Sequence, residues 1–504
     1  MQHYHFQDIV QVIFILLLSE MAPVCFSKEI HLPKLIIISM DGFRYNYLDK
    51  LPLDKITNFT YLIKNGVKAK FIKNVFPTVT YPNHMTIATG LYPESHGVVD
   101  NVFWDPYLED KFDIANFRQN FESKWFDSGG EPIWVTNQNA GLHRDSGVIW
   151  WPTGVAAIKS YMPRVMPVDE FNETVSDWKV RVDTLVKWFR NDKENIRPIN
   201  LGILHFSDPD LTAHKYGSDN ADGTITDEIQ QIIFKLDATL GYLKQKLVES
   251  HLWEEMNLIV TADHGHTNLL SLKDGQINLD DYSIDPKSYT TVSGVHNVFS
   301  LEPTEGTDID KLHRDLSAIP KIYVYRKCDK YMSRIHYCNN RRIMEFILEA
   351  EEGHFIGNTK SLSLLKNISK GSHGYDQNKV PNMRPFFIGF GQAFKKGLVS
   401  EAFESVDIYP LMCHILGIKP APNNGSLDNV RHLLNQPYSS QSDQFQSTIV
   451  IFVVVMVVLV CGLFFVGALR QHNHPNRKST DLIVGLYPLL VDDKEGEESN
   501  EELL

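Results

Sequence analysis

The chain has 504 residues, with 43% hydrophobic and 22% charged, enough for one large domain or two ordinary ones. That balance excludes a mainly disordered chain. A net charge of −13 without a Lys/Arg cluster excludes a general polyanion-binding surface, so no nucleic-acid binding is expected.

An anionic substrate would therefore need local attraction, which a bound cation supplies. The first apolar run, Ile9 to Leu18, has the length of a signal-peptide core and is too short to cross a bilayer. A buried N-terminal helix is the alternative, and the preceding MQHYHFQD lacks Lys and Arg. Residues 1–27 are expected to be a signal peptide. Residues 28–435 then form one extracellular domain.

Lys34 to Met40 reads as a fully buried strand ending in Asp41-Gly42. Next comes the dense stretch from Phe76 to Gly97, where Pro82 is predicted to open a helix that Gly90 closes. Thr80 would sit just before that helix, where the positive dipole end favours a phosphate. Read from the residues alone, Thr80 is either a nucleophile activated by a metal or a plain helix cap.

A second buried strand, Pro198 to Phe206, leads into Asp210-Leu-Thr-Ala-His214, a carboxylate and an imidazole one helical turn apart. Asp227 to Leu247 carries a helical apolar pattern, and a third buried strand, Asn257 to Ala262, ends in Asp263-His264-Gly265. Buried strands alternating with helices predict a doubly wound α/β domain, its mostly parallel central sheet flanked by helices. Ligands gather beyond the carboxyl ends of such strands. Three carboxylates meeting there would repel one another unless cations held them.

Gly371-Ser-His373-Gly374 adds another imidazole in a glycine-flanked segment. The set Asp41, Asp210, Asp263, His214, His264 and His373 mixes nitrogen and oxygen, which suits zinc; magnesium and calcium favour more oxygen. Cys328 and Cys338 lie ten positions apart and could close a small loop, whereas Cys413 sits on an apolar helix pattern as a buried thiol. N-glycosylation sequons begin at Asn58, Asn172, Asn367 and Asn424.

The polar run after Leu434 suggests a stalk over residues 436–448. Ile449 to Leu469 is 21 residues without a charge, the length of one transmembrane helix. Arg470, Arg477 and Lys478 follow it, which by the positive-inside rule leaves the tail, 470–504, in the cytoplasm. The expected localisation is the plasma membrane, single-pass and type I.

Ser39-Met-Asp41-Gly-Phe-Arg44, Pro77-Thr-Val-Thr80-Tyr-Pro-Asn-His84 and Thr89-Gly-Leu-Tyr-Pro-Glu-Ser-His-Gly97 resemble the ecto-nucleotide pyrophosphatase/phosphodiesterase family. Glu131-Pro-Ile-Trp134, Asp210-x-x-x-His214, Ala262-Asp-His-Gly265, Gly371-x-His373-Gly and Pro420-Ala-Pro-Asn-Asn-Gly425 follow in that family's order. Several motifs in fixed order make the resemblance specific over about residues 33 to 430. Departures at Met40 and Val79 touch no catalytic position.

The resemblance implies an alkaline-phosphatase-like core with two zinc ions. Asp210, His214 and His373 match the ligands of one; Asp41, Asp263 and His264 match the other, with Thr80 as its nucleophilic ligand. Asn101 matches the asparagine that holds a phosphoryl oxygen. Tyr81, Trp151 and Phe171 match an aromatic slot for a base, although Trp151 and Phe171 read equally as core. The implied reaction is hydrolysis of extracellular nucleotides or dinucleotides to nucleoside 5′-monophosphates through a phosphothreonine. A choline-phosphodiester hydrolase of the same family is the alternative, since aromatics also cage choline. A non-catalytic surface receptor is a third reading, but it predicts lost ligands and none is lost. The chain lacks the Cys-rich modules and nuclease-like domain of longer members, which places it in the short, single-domain type I membrane branch. No feature specifies an oligomeric state.

Overall fold

The structure is a computed structural model describing residues 32–141, 143–166, 175–190, 197–292, 295–363 and 369–435, together with 455, 459 and 462. It divides into two units, Met1–Tyr438 and Ser439–Leu504. The expected signal peptide, the stalk, the tail and Phe171 lie outside the described residues.

The central sheet has eight strands. In spatial order they are Leu398–Ser400, Val67–Ala69, Phe387–Phe390, Met256–Thr261, Lys34–Met40, Leu201–Phe206, Ser146–Ile149 and Arg164–Met166. Seven run parallel to one another, while Phe387–Phe390 is antiparallel to both neighbours, so the sheet is mixed.

Lys34–Met40 shows why the sheet is covered on both faces. Leu35 and Ile37 enter one apolar core, Ile36, Ile38 and Met40 the other, because successive side chains point oppositely. Helices Thr80–Thr89, Ile133–Asn139 and Ile408–Leu416 contribute to the first core. Thr57–Lys64, Val175–Arg190 and Asp227–Glu249 contribute to the second. A separate antiparallel sheet, in the order Tyr289–Thr291, Val298–Pro303, Phe346–Ala350 and Ile322–Arg326, has its own core with helix Ile309–Ser317. Cys328 and Cys338 form a disulfide, and Cys413 is a buried free thiol.

The plasma-membrane localisation needs correction. Among the described residues no helix is long and apolar enough to cross a membrane. A span requires about 20 consecutive helical residues, and only Val455, Leu459 and Gly462 of segment 449–469 are described. The single-pass type I placement is withdrawn.

Candidate metal centre

The three middle strands deliver their carboxyl ends side by side. Ser39 is the register partner of both His205 and Thr261, so the loops that follow begin at one level. Asp41 N–H donates to Phe206 O at 2.9 Å, and Asp210 N–H donates to Asp41 O at 3.0 Å. Gly42 lets the loops close: its φ is +68°, and a Cβ there would lie 2.8 Å from Asp210 Cβ. Its N–H reaches Asp263 Oδ1 at 3.2 Å.

Two groups of side chains result. In the first, Asp210 Oδ1 stands 3.4 Å from both His214 Nε2 and His373 Nε2, which are 3.2 Å apart. In the second, His264 Nε2 stands 3.4 Å from Asp41 Oδ1 and 3.1 Å from Asp263 Oδ2. Each imidazole is turned by its other nitrogen. His214 Nδ1 donates to Gly371 O at 3.0 Å, His264 Nδ1 to Gly265 O at 2.9 Å, and His373 Nδ1 to Thr78 O at 3.0 Å. Such anchors leave the Nε2 lone pairs free for a metal.

Donor atoms bound to zinc at about 2.0–2.1 Å in a tetrahedron stand about 3.3 Å apart. The observed separations match that spacing. Asp210 Oδ1 and Asp263 Oδ2 are buried without a hydrogen-bond partner, a costly arrangement that a bound cation relieves. The residues fit two zinc ions.

The electrostatics agree. Burial pushes the Asp263 carboxyl up to about 8, and the nearby Asp210 charge adds to the shift. Burial also opposes ionisation of Asp210, but His214, His266 and His373 outweigh it and hold that carboxyl well below the usual range. Burial brings His264 down to about 4, so its ring is neutral and able to ligate at pH 7.

Thr80 is the first residue of its helix, which starts two positions earlier than the sequence suggests, and the residue capping that helix is Val79. Pro82 therefore occupies the third helical position rather than the first, while Gly90 ends the helix as expected, at φ 67°. The Thr80 hydroxyl stands 3.4 Å from His264 Nε2. The plain-cap reading fails, because no side chain caps this helix. Asn101 Oδ1 accepts the Tyr81 N–H at 2.9 Å, which leaves its Nδ2 as the donor for a ligand.

Two expected slot residues are deeply placed. Tyr81 is 6% exposed, held against Phe112 and Phe126, and its hydroxyl donates to Asn120 Oδ1 at 2.8 Å. Trp151 is 2% exposed and meets His84 edge-on. Both rings belong to the core and offer little surface for stacking.

Three histidines escaped the sequence reading. His266 joins the Asp210 group, while His84 and His205 form a further potential metal-holding group with Asp41. His84 donates through Nδ1 to Thr80 O at 2.8 Å and accepts from Ser39 Oγ at 2.9 Å through Nε2, tying the helix start to the strand end. His205 Nε2 donates to Asp41 Oδ2 at 3.1 Å, and burial lowers its pKa to about 3. Signals existed: a histidine inside an apolar strand for His205, and a second imidazole two residues beyond His264.

Known proteins share this arrangement of sequence and fold. Residues 35–376 match the family model of type I phosphodiesterase / nucleotide pyrophosphatase. The Homo sapiens ectonucleotide pyrophosphatase/phosphodiesterase family member 5 is 38% identical over 427 residues, 84% of this chain and 83% of the relative. A Xenopus laevis bis(5′-adenosyl)-triphosphatase is 36% identical over 430 residues, 85% of this chain and 88% of its own. The solved structure of an inactive murine ectonucleotide pyrophosphatase/phosphodiesterase 5, in complex with AMP, superposes with a TM-score of 0.70 at 37% identity, over 80% of this chain and 100% of that one. That likeness bears out the expected alkaline-phosphatase-like α/β fold.

Proposed function

The chain belongs to the type I phosphodiesterase / nucleotide pyrophosphatase family and is a phosphoric diester hydrolase; we propose that it releases nucleoside 5′-monophosphates from nucleotides or dinucleotides, with Thr80 as nucleophile and two zinc ions as cofactors. The observation that carries this reading is the Thr80 hydroxyl, 3.4 Å from His264 Nε2 at the edge of the carboxylate–imidazole cluster. Asp210, His214 and His373 would hold one ion, and Asp41, Asp263 and His264 the other, with Thr80 Oγ1 beside it.

Bound there, the ions would supply positive charge for the phosphoryl oxygens and lower the pKa of the attacking hydroxyl. Thr80 Oγ1 forms a bond to phosphorus as the bond to the leaving oxygen breaks; the threonine proton passes to solvent, and the leaving oxygen carries away the electron pair of the broken bond. The positive end of helix Thr80–Thr89 and the Asn101 amide stabilise the charge on the phosphoryl group. Water then splits the phosphothreonine, which restores the hydroxyl and releases the monophosphate.

The AMP carried by the murine relative and the name of the Xenopus relative support a nucleotide as substrate. The test uses purified, zinc-replete protein offered ATP, NAD, a dinucleoside polyphosphate and glycerophosphocholine. Release of a nucleoside 5′-monophosphate is expected. Turnover of the choline ester alone would overturn the assignment.

A further inference from the structure

The Asp210 group contains one imidazole more than the two-ion reading uses. His266 is fully buried, and its Nε2 stands 3.4 Å from Asp210 Oδ1. His214 Nε2 and His373 Nε2 stand at that same 3.4 Å from the same oxygen. Three imidazole nitrogens thus converge on one carboxylate oxygen at close to the spacing of about 3.3 Å of a tetrahedral zinc site, and all four donor atoms lie within 4.8 Å of one another.

Two further observations set His266 apart from an ordinary core histidine. Neither of its ring nitrogens makes a well-formed hydrogen bond, and the contact of Nε2 with the Asp210 oxygen it faces is long, at 3.4 Å. A buried imidazole with both nitrogens unused is rare unless a lone pair serves another purpose. The chain also makes room for it: a Cβ at Gly371 would lie 2.8 Å from the His266 ring.

We propose that His266 is a fourth protein ligand to the ion held by Asp210, His214 and His373; the inference rests on the two-ion reading above. Three protein ligands would leave that ion a position open to solvent or substrate, whereas four close it in the resting enzyme. His266 is also the ligand suited to yield. His214, His264 and His373 are each anchored through Nδ1, while His266 Nδ1 has no partner among the described residues.

The test is ion binding by the full chain stripped with a chelator. Zinc affinities come from competition with a chromophoric chelator, and coordination from the visible absorption of the cobalt form. Wild type should bind two ions, and its cobalt form should show the strong absorption of four-coordinate cobalt before any substrate is added. His266→Gln, which keeps an amide able to hydrogen-bond Asp210, should weaken one of the two ions by more than about 100-fold, beyond the 10–100-fold typical of losing a second-shell partner. A folding check is the melting temperature of the stripped variant.

If wild type binds two ions and His266→Gln leaves affinities and absorption unchanged, or weakens one ion by about 100-fold or less, His266 only supports Asp210 and the inference fails alone. Weak absorption from both cobalt ions in wild type sinks it without any variant. Wild type that binds no ion sinks the two-ion reading with it.

Discussion

The rings of His264 and His373 lie 3.6 Å apart and within 12° of parallel. One belongs to each group of donor atoms, so the two candidate ion positions share a wall. A neutral pair stacks comfortably, whereas two imidazolium rings would repel; burial keeps both below their usual pKa.

That shared wall makes the groups separable by mutation but coupled in function. Asp210→Asn should reduce the zinc content of the purified protein from two ions to one, read by elemental analysis. The ion at Asp41, Asp263 and His264 should stay, while nucleotide hydrolysis falls by about 10³-fold or more.

Thr80→Ala should leave the fold intact and zinc bound while abolishing turnover, a loss of about 10⁴-fold or more in kcat. Trapping with a phosphorus-labelled substrate checks the intermediate: label on Thr80 is expected in wild type and absent from the variant.

Asn101→Ala removes one hydrogen-bond donor from the phosphoryl group, so kcat should fall by about 10²–10³-fold with zinc content unchanged. An equal fall in the rate with an activated aryl ester would show that the loss lies in phosphoryl stabilisation and not in base recognition.

Stability has its own test. Asp105 is fully buried and accepts from Arg341 Nε at 2.8 Å and Arg342 Nε at 2.7 Å; Arg342 in turn donates to Gly97 O and Trp125 O. Burial alone would raise its pKa, but the two guanidiniums outweigh it and hold the carboxyl below the usual range. A depressed carboxylate stabilises the fold above the unfolded pKa of about 3.9, and that contribution is lost as pH falls below it. Asp105→Ala should destabilise by about 3–5 kcal/mol at pH 7, because it strands a buried arginine. The difference should shrink toward pH 3, as chemical denaturation at each pH would show.

Much of the site was legible because metal chemistry needs few residue types at strand ends. Asp41 and Asp263 follow buried apolar runs, and Asp210 and His214 share a helical turn; a chain-order reading finds all of them. His84, His205 and His266 were missed because their partners are set by tertiary register: Ser39 opposite His205, and Gly371 against His266. Burial of Tyr81 and Trp151 could not be read either, since an aromatic beside a motif looks alike in a slot and in a core. In the fold, the three middle parallel strands announced themselves as long apolar runs, whereas the outer parallel strands, three or four residues each, did not. The antiparallel strand Phe387–Phe390 has four residues and one glycine, too short to show a direction.

The most direct measurement is the zinc content of the purified, zinc-replete protein together with its effect on hydrolysis. Two ions per chain are predicted, with nucleotide hydrolysis lost on chelation and restored by zinc. A protein that retains no zinc, or that hydrolyses nucleotides at full rate without it, contradicts the account.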